Sequence, residues 1–545
     1  MMPGKIEKVK IVCLTGGVIS SLGKGITAAA LGNLLKRRGY SIGIMKLDPY
    51  INLDPGTMSP FQHGEVYVTA DGVETDLDIG HYERFLETDF TKSHNVTAGQ
   101  IYDSVIRRER AGDYLGKTVQ VIPHITDEIK SRILSVAKNF DLLIVEIGGT
   151  VGDIESLPFL EAIRQLKREI GQKNIAYLHL TLVPFLETTG EFKTKPTQHS
   201  VASLREIGIH PDVVLCRSKN NLDEEVREKI SLFGDVELES VVSVPDVSSI
   251  YNVPNILKES GFDIRVLELL SLPLEKTNES AEKFGKEWDK FASSLLPHEE
   301  KIRVGIVGKY VGLHDAYKSV AEAVVHASAK KNVSSELVWI DSEAVERGIA
   351  DLAQLDAMIV PGGFGERGVE GKITAIKYAR ENSLPFLGIC LGLQCAITEF
   401  ARNVCMLPGA HSVEFDEETK YPVIHIMDAQ KGLKQKGGTM RLGVYPCRLR
   451  KNTIASMSYL KADYSEEEVF ERHRHRYEVN NAYRDRLAEN GMIFSGLSPD
   501  GLLVEIIELP KHKYFVATQF HPEFRSRPTS PHPLFLGLIE AAIKK

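Results

Sequence analysis

The chain has 545 residues, 43% of them hydrophobic and 26% charged, an ordinary globular composition that predicts two to four domains at roughly 150 residues each. Its formal net charge of −8 argues against a general nucleic-acid surface, so the basic run "RHRHRY" (472–477) reads as a local site or a solvated face. Six scattered cysteines without a C-x-x-C pair speak against a disulfide framework or a zinc site, and neither a secretory signal nor an apolar run of ~18 residues is present, so a soluble, cytoplasmic protein is expected.

Strand-like apolar runs alternate with helical patterns, which predicts an α/β architecture with largely parallel sheets. "VKIVCLT" (9–15) reads as a strand, "GKGITAAALGNLLKRRG" (23–39) as a helix closed by Gly39, and "SIGIMKL" (41–47) as the next strand. The turn "TGGVISSLGKGITAAAL" (15–31) departs from the phosphate-loop pattern G-x-x-x-x-G-K-[ST]. Val18 stands where the first glycine belongs, and Gly25 where a hydroxyl residue belongs. Two readings are open here. Backbone N–H groups from Gly17 to Gly25 cradle a triphosphate that Lys24 neutralises, or the stretch is a glycine turn and nothing more.

Residues 48–82, dense in Pro, Gly, Asp and Thr, read as a long functional loop. They supply Asp76 and Asp78, and Glu146 ends the apolar run "LLIVEIGG" (142–149). Such an acid set suits magnesium on a triphosphate and compensates for the missing hydroxyl, with Thr27 a further candidate. Strands are also predicted at 141–149, 176–184 and 212–218. The charged, mostly helical stretch 272–300 reads as a linker between a domain at 1–271 and another at 301–545.

Beyond the linker, "LPFLGICLGLQCA" (384–396) runs from an apolar strand through Gly388, Cys390 and Gly392 into a helical pattern. This is the cysteine form of a nucleophile elbow, with the thiol at a helix N-terminus whose dipole favours the thiolate. "ATQFHPEF" (517–524) offers His521 and Glu523, which strand alternation would point the same way as base and orienting acid. "VPGGFGERG" (360–368) suits donation of backbone N–H groups to an oxyanion. Cys395 and Cys405 lack the elbow context and read as packing residues.

These three motifs resemble a class I glutamine amidotransferase domain. The resemblance implies that Cys390 attacks the glutamine amide, His521 shuttles protons, Glu523 orients it, and the amides of Gly363 and Leu391 hold the oxyanion. "GGVISSLGKG", "MKLDPYINLDPGTMSPFQHGEVYV", "DGVETDLDIGHYERF", "VEIGGTVGDIES" and "KTKPTQHSV" in turn resemble the synthetase domain of the CTP synthase family, and the likeness runs nearly end to end. It implies a dethiobiotin-synthetase-like, phosphate-loop parallel-sheet domain, with the turn at 15–31 a divergent phosphate loop. The implied reaction is amination of UTP through a 4-phosphorylated intermediate.

The same resemblance assigns ATP to Ser21, Leu22, Gly23, Lys24, Gly25, Ile26 and Asp78, with Pro245, Asp246 and Val247 near adenine. Magnesium falls to Asp78 and Glu146. UTP, and CTP as feedback inhibitor, fall to Ser20, Asp153, Ile154, Glu155, Lys193, Thr194, Lys195, Pro196, Thr197, Gln198 and Lys229. Glutamine falls to Gly363, Leu391, Gly392, Leu393, Gln394, Glu414 and Arg476, with His473 and His475 structural. Lys46 would neutralise phosphate, and His63 would lie along an internal ammonia passage. GTP is implied as allosteric activator, and a homotetramer built as a dimer of dimers, with filaments a further possibility, as the assembly; no nucleic acid or membrane partner is implied. Other amide ligases with the same loop, a nucleotide-switch protein and a filament protein with vestigial sites are the alternatives. The first would lack "KTKPTQ", and the second would leave Cys390, His521 and Glu523 unexplained.

Overall fold

The computed structural model describes residues 9–543 except 277, 428–439 and 466. Two compact units result: Met1–Leu53 with His81–Ala292, and Asp54–Gly80 with Ser293–Lys545. The chain is thus not divided at one linker, as the sequence alone suggests. The helix Glu279–Ser293 carries an apolar stripe, and Trp288 packs against Phe85 at 5.2 Å and Tyr251 at 5.9 Å, which joins that helix to the first unit. Segment 54–80 joins the second unit through buried polar anchors described below.

The first unit is built on a seven-stranded sheet ordered Val241–Pro245, Val213–Ser218, Ile175–Leu182, Ile11–Gly16, Leu142–Ile147, Ile42–Asp48, Asn95–Thr97, with every neighbouring pair parallel. Its central strands are apolar without alternation because helices cover both faces. Leu14 pairs with Glu146, so the glycine turn and Glu146 leave the sheet at one carboxyl edge, where open α/β sheets bind ligands.

The second unit has a nine-stranded mixed sheet. Ser334–Asp341, Lys301–Gly308, Ala357–Val360, Phe386–Ile389 and Phe515–Thr518 run parallel; Val504–Glu508, Ile493–Leu497, Arg441–Leu449 and Glu468–His475 extend it antiparallel. Both units are therefore α/β, as the alternation of patterns predicts.

Candidate active sites

In the second unit the strand Phe386–Ile389 delivers Cys390 directly to the N-terminus of the helix Leu391–Asn403. Cys390 sits at φ 54° and ψ −102°, a conformation that L-residues avoid and that marks a functional turn. Gly392 permits it: a Cβ there would fall 2.1 Å from the Val360 carbonyl oxygen, so only glycine lets helix and neighbouring strand approach this closely. The Cys390 N–H donates to Thr518 O at 2.7 Å, and Gln519 Nε2 donates to Sγ at 3.7 Å.

His521 and Glu523 meet here, though not by strand alternation. The strand ends at Thr518, and residues 522–525 form a 3₁₀ turn opened by Pro522. That turn sets His521 Nδ1 2.7 Å from Glu523 Oε1, and stacks the imidazole on Phe524 at 5.0 Å. Burial disfavours the imidazolium, but the Glu523 carboxylate and the Cys390 sulfur outweigh it and push His521 up to about 10. Gly362 faces the same two side chains: a Cβ on it would lie 3.1 Å from His521 Cε1 and 3.6 Å from Cys390 Cβ.

The glycine-rich loop after Val360 is held by two buried lysines that no sequence motif announces. Lys372 Nζ donates to Pro361 O at 2.7 Å, and Lys309 Nζ to Phe364 O at 3.1 Å and to Gly365 O. Burial, with Lys309 adding to it, pushes the fully buried Lys372 down to about 7. Of the residues assigned to glutamine, Gly363 lines the Cys390 cavity, and Glu414 Oε1 accepts from Gly365 N–H at 3.3 Å with its carboxyl raised by burial. Arg476 acts electrostatically on that carboxylate. Gln394 is buried and donates to Tyr477 O at 3.1 Å; Leu391 and Leu393 are buried, and the Leu393 N–H donates to Cys390 O at 3.0 Å. His473 and His475 lie in the core with their rings hydrogen-bonded at 3.1 Å, and burial holds both neutral.

Segment 54–80 forms one wall of the Cys390 cavity, which measures about 310 Å³ and is lined by Gly56, Met58 and Glu65 on that side. Glu65 explains the anchoring. Its carboxylate accepts from the Ser319 N–H at 3.2 Å and the Ser319 hydroxyl at 2.5 Å, capping a helix, Lys318–Lys330, that has no cap of its own. Tyr67 OH donates to Phe524 O at 2.9 Å, and Arg474 Nε to Glu74 Oε1 at 2.8 Å. His63 lies 3.2 Å from Asp76 in this segment, and Asp78 donates its N–H to Asp76 Oδ1 at 2.9 Å.

In the first unit the turn after Gly16 is strained at two non-glycine residues, Val18 at φ 79° and Ser21 at φ 56°, before Gly23 at φ 99° opens the helix Lys24–Arg37. No side chain caps that helix and no acid stands in its first turn, so its N–H groups suit an anion. Ser20 and Ser21 are exposed, Leu22 and Gly25 buried, and Ile26 half-buried. Lys24 Nζ donates to Gly149 O at 2.6 Å, beside the end of the Glu146 strand. Thr27 donates its hydroxyl to Gly23 O at 2.9 Å.

Glu146 is buried, bonded to the Tyr82 hydroxyl, and 3.9 Å from Lys46 Nζ. Among the described residues no group of three or more His, Cys, Asp or Glu side chains is placed to hold a metal. Lys195 and Pro196 line a cavity of about 430 Å³ with Val18 and Thr150. Thr194, Thr197 and Gln198 are buried nearby, Thr197 sharing its hydroxyl with Thr181 at 2.9 Å. Lys193 pairs with Glu191 at 2.5 Å, and the exposed Lys229 acts on the same carboxylate. Asp153, Ile154 and Glu155 are exposed at the start of the 3₁₀ turn Ile154–Ser156, where Asp153 accepts from Thr150 N–H at 3.1 Å. Pro245 ends the edge strand and Asp246 and Val247 follow it, Asp246 paired with Arg217 at 2.6 Å.

A cysteine on a strained strand-to-helix turn, a His–Glu pair and a glycine loop beside them define a class I glutamine amidotransferase unit. Residues 312–541 match the family described as glutamine amidotransferase class-I, and residues 10–272 that described as CTP synthase N-terminus. A CTP synthase of Caldanaerobacter subterraneus subsp. tengcongensis is 58% identical over 538 residues, and one of Methanocaldococcus jannaschii 54% over 543, each alignment covering 98% of both chains. Among solved structures, the glutaminase domain of Trypanosoma brucei CTPS with bound acivicin is 39% identical at a TM-score of 0.41, covering 45% of this chain and 94% of that one. The chain belongs to the CTP synthase family. No helix among the described residues is long and apolar enough to cross a membrane.

Proposed function

We propose that the protein aminates UTP to CTP, using ATP and ammonia that it releases from glutamine. The observation that carries the glutamine half is Cys390, forced to positive φ on the cavity wall beside the paired His521 and Glu523. Glu523 orients His521 and holds it protonated, so the imidazolium already carries the proton exchanged with Cys390 when sulfur attacks the amide carbon. The oxyanion is held by the N–H groups of Gly363 and Leu391, and His521 returns the proton to the departing ammonia. Water then cleaves the glutamyl thioester by the same route in reverse order. Gln394, Glu414 and Arg476 recognise glutamine.

In the first unit the glycine turn and Lys24 hold ATP phosphates, with Pro245, Asp246 and Val247 near adenine, while Ser20, the segment Lys193–Gln198 and Lys229 hold UTP. Phosphorylation of the uracil 4-oxygen converts a poor leaving group into phosphate, which ammonia displaces. Magnesium, for which Glu146 is the carboxylate of this unit, would supply charge compensation on the triphosphate. Family membership supports further roles: CTP as feedback inhibitor contacting Asp153–Glu155, GTP as activator of glutamine hydrolysis, a homotetramer built as a dimer of dimers, and a cytoplasmic location.

The test is CTP formation from UTP, ATP and magnesium by Cys390→Ala beside the unmutated protein, with either glutamine or ammonium. The variant is expected to make CTP from ammonium only. Failure of both proteins with both nitrogen sources, while folded and binding ATP, would refute the UTP reading.

A further inference from the structure

Under the glycine turn of the first unit runs a hydrogen-bonded chain that the roles above do not use. Thr15 Oγ1 lies 2.8 Å from His179 Nδ1, and His179 Nε2 lies 2.8 Å from Ser200 Oγ. Thr15 and His179 are 1% and 0% exposed, and Ser200 is 7% exposed. Ser200 stands with Lys195, His199 and Ser203 on one face of the helix Lys195–Glu206, and that face opens onto the cavity of about 430 Å³ opposite Val18 and Thr150. The fit to the glycine turn is tight. A Cβ on Gly17 would fall 1.5 Å from Ser200 Oγ, so the turn and the helix are shaped to each other.

The protons of the chain can be followed. Burial, reinforced by Lys24, pushes His179 down to about 3, so its ring is neutral and donates through one nitrogen only. Thr15 has one proton and two acceptors in reach, Leu178 O at 3.2 Å and His179 Nδ1. When Thr15 donates to His179, Nε2–H donates to Ser200 Oγ, and the Ser200 proton is left to point into the cavity. When Thr15 donates to Leu178, Ser200 turns its proton back to Nε2 and shows lone pairs to the cavity instead. An anionic oxygen in the cavity selects the first arrangement. Lys195 and the hydroxyls of Thr150 and Ser203 make the same wall suited to such an oxygen.

We propose that Ser200 donates its hydroxyl proton to a phosphate oxygen of the pyrimidine nucleotide, and that His179 is a positioning residue acting through Ser200. Thr15 sets the tautomer of His179, and thereby couples the strand that carries the phosphate loop to the helix that carries "KTKPTQ". The inference rests on the reading of that segment as the UTP site.

The experiment is ammonium-dependent CTP formation by the full chain with ATP and magnesium. It compares the unmutated protein, Ser200→Ala, His179→Ala and the double variant, with KM for UTP and ATP determined separately and UTP binding followed calorimetrically. Ser200→Ala is expected to raise both KM and Kd for UTP about tenfold or more, the range of one hydrogen bond to a charged oxygen, and to leave KM for ATP within about twofold. His179→Ala is expected to do the same, and the double variant no worse than Ser200→Ala, because His179 acts only through that hydroxyl. An unchanged UTP constant in Ser200→Ala, a rise for ATP alone, or effects of the two substitutions that multiply would each overturn the proposal. Should His179→Ala not fold, His179→Gln replaces it: loss of its effect in the Ser200→Ala background supports the relay, and a multiplied effect refutes it. Unmutated protein that makes no CTP from UTP refutes the UTP reading itself; normal CTP formation with an indifferent Ser200→Ala refutes this inference alone.

Discussion

His521 Nδ1 and Glu523 Oε1 stand 2.7 Å apart with both side chains buried, and the carboxylate, helped by the Cys390 sulfur, holds the imidazole protonated up to about 10 against 6.5 for an unperturbed ring. A folded-state value above the unfolded one means stabilisation that is complete below about pH 6.5 and is lost as pH rises towards 10. Glu523→Gln removes the main source of the shift. In denaturant titrations across this range, the unmutated protein should exceed Glu523→Gln most at the acidic end, and the two should converge towards pH 10. Parallel curves would show that the pair is not coupled as the geometry requires.

Lys372 supplies the opposite sign. Its ammonium is fully buried and its value falls from 10.5 to about 7, so the unfolded chain holds the extra proton between those limits and stability rises with pH through them. Lys372→Met keeps the volume and removes the buried charge. It should be more stable than the unmutated protein at pH 7 and below, with the advantage fading by about pH 10.5, as read from thermal melts at several pH values. The same variant frees the Pro361 carbonyl, so its glutamine-dependent rate should fall while its ammonium-dependent rate holds.

Gly392→Ala places a methyl 2.1 Å from a backbone oxygen that no rotamer can move. Overpacking of this kind costs roughly 1–3 kcal/mol. Chemical denaturation should show a loss of that order, together with loss of glutamine hydrolysis. A variant of unchanged stability and rate would mean that the elbow is looser than described.

Glu65→Ala leaves the Ser319 N–H buried and uncapped. A lost cap of this type costs about 0.5–2 kcal/mol, and the second unit should be destabilised by that amount. Since Glu65 also lines the Cys390 cavity, KM for glutamine should rise in the same variant. Glu65→Gln, which keeps an acceptor for the same N–H, should recover part of both losses.

Lys24→Ala should abolish CTP formation from ammonium as well as from glutamine. On the reading proposed above, the uncapped N–H groups of the helix that Lys24 opens, together with this lysine, hold the triphosphate. Glutamine hydrolysis measured alone should survive, because Cys390, His521 and Glu523 lie in the other unit.

Much of this was legible in the sequence for local reasons. A G-x-C-x-G run after an apolar strand can hardly be anything but a tight turn, and Cys390 stands on one. The alternation of strand and helix patterns identified both α/β units, because fully covered parallel strands are apolar throughout. The turn at 15–31 kept its lysine and its helix start in spite of the shifted glycine, so its place at a carboxyl sheet edge could be read without the consensus. Glu146 could be placed by the same logic, at the end of an apolar run.

Where the reading erred, the pattern of neighbouring residues did not show the contact that decided the outcome. His521 and Glu523 were expected to share a strand face, but the strand stops at Thr518 and a proline-led turn brings them together. Segment 54–80 was assigned with its sequence neighbours, yet Glu65 caps a helix 254 residues away and carries the segment into the other unit. Lys309, Lys372, His179 and Ser200 carried no spacing signal at all, because the group each one serves is supplied by a different element. Local propensity and apolar periodicity determine which elements form, and short motifs name the reacting groups. Only the packed structure decides which buried polar group satisfies which, since an unpaired donor or acceptor in the core is costly and its partner can come from anywhere in the chain.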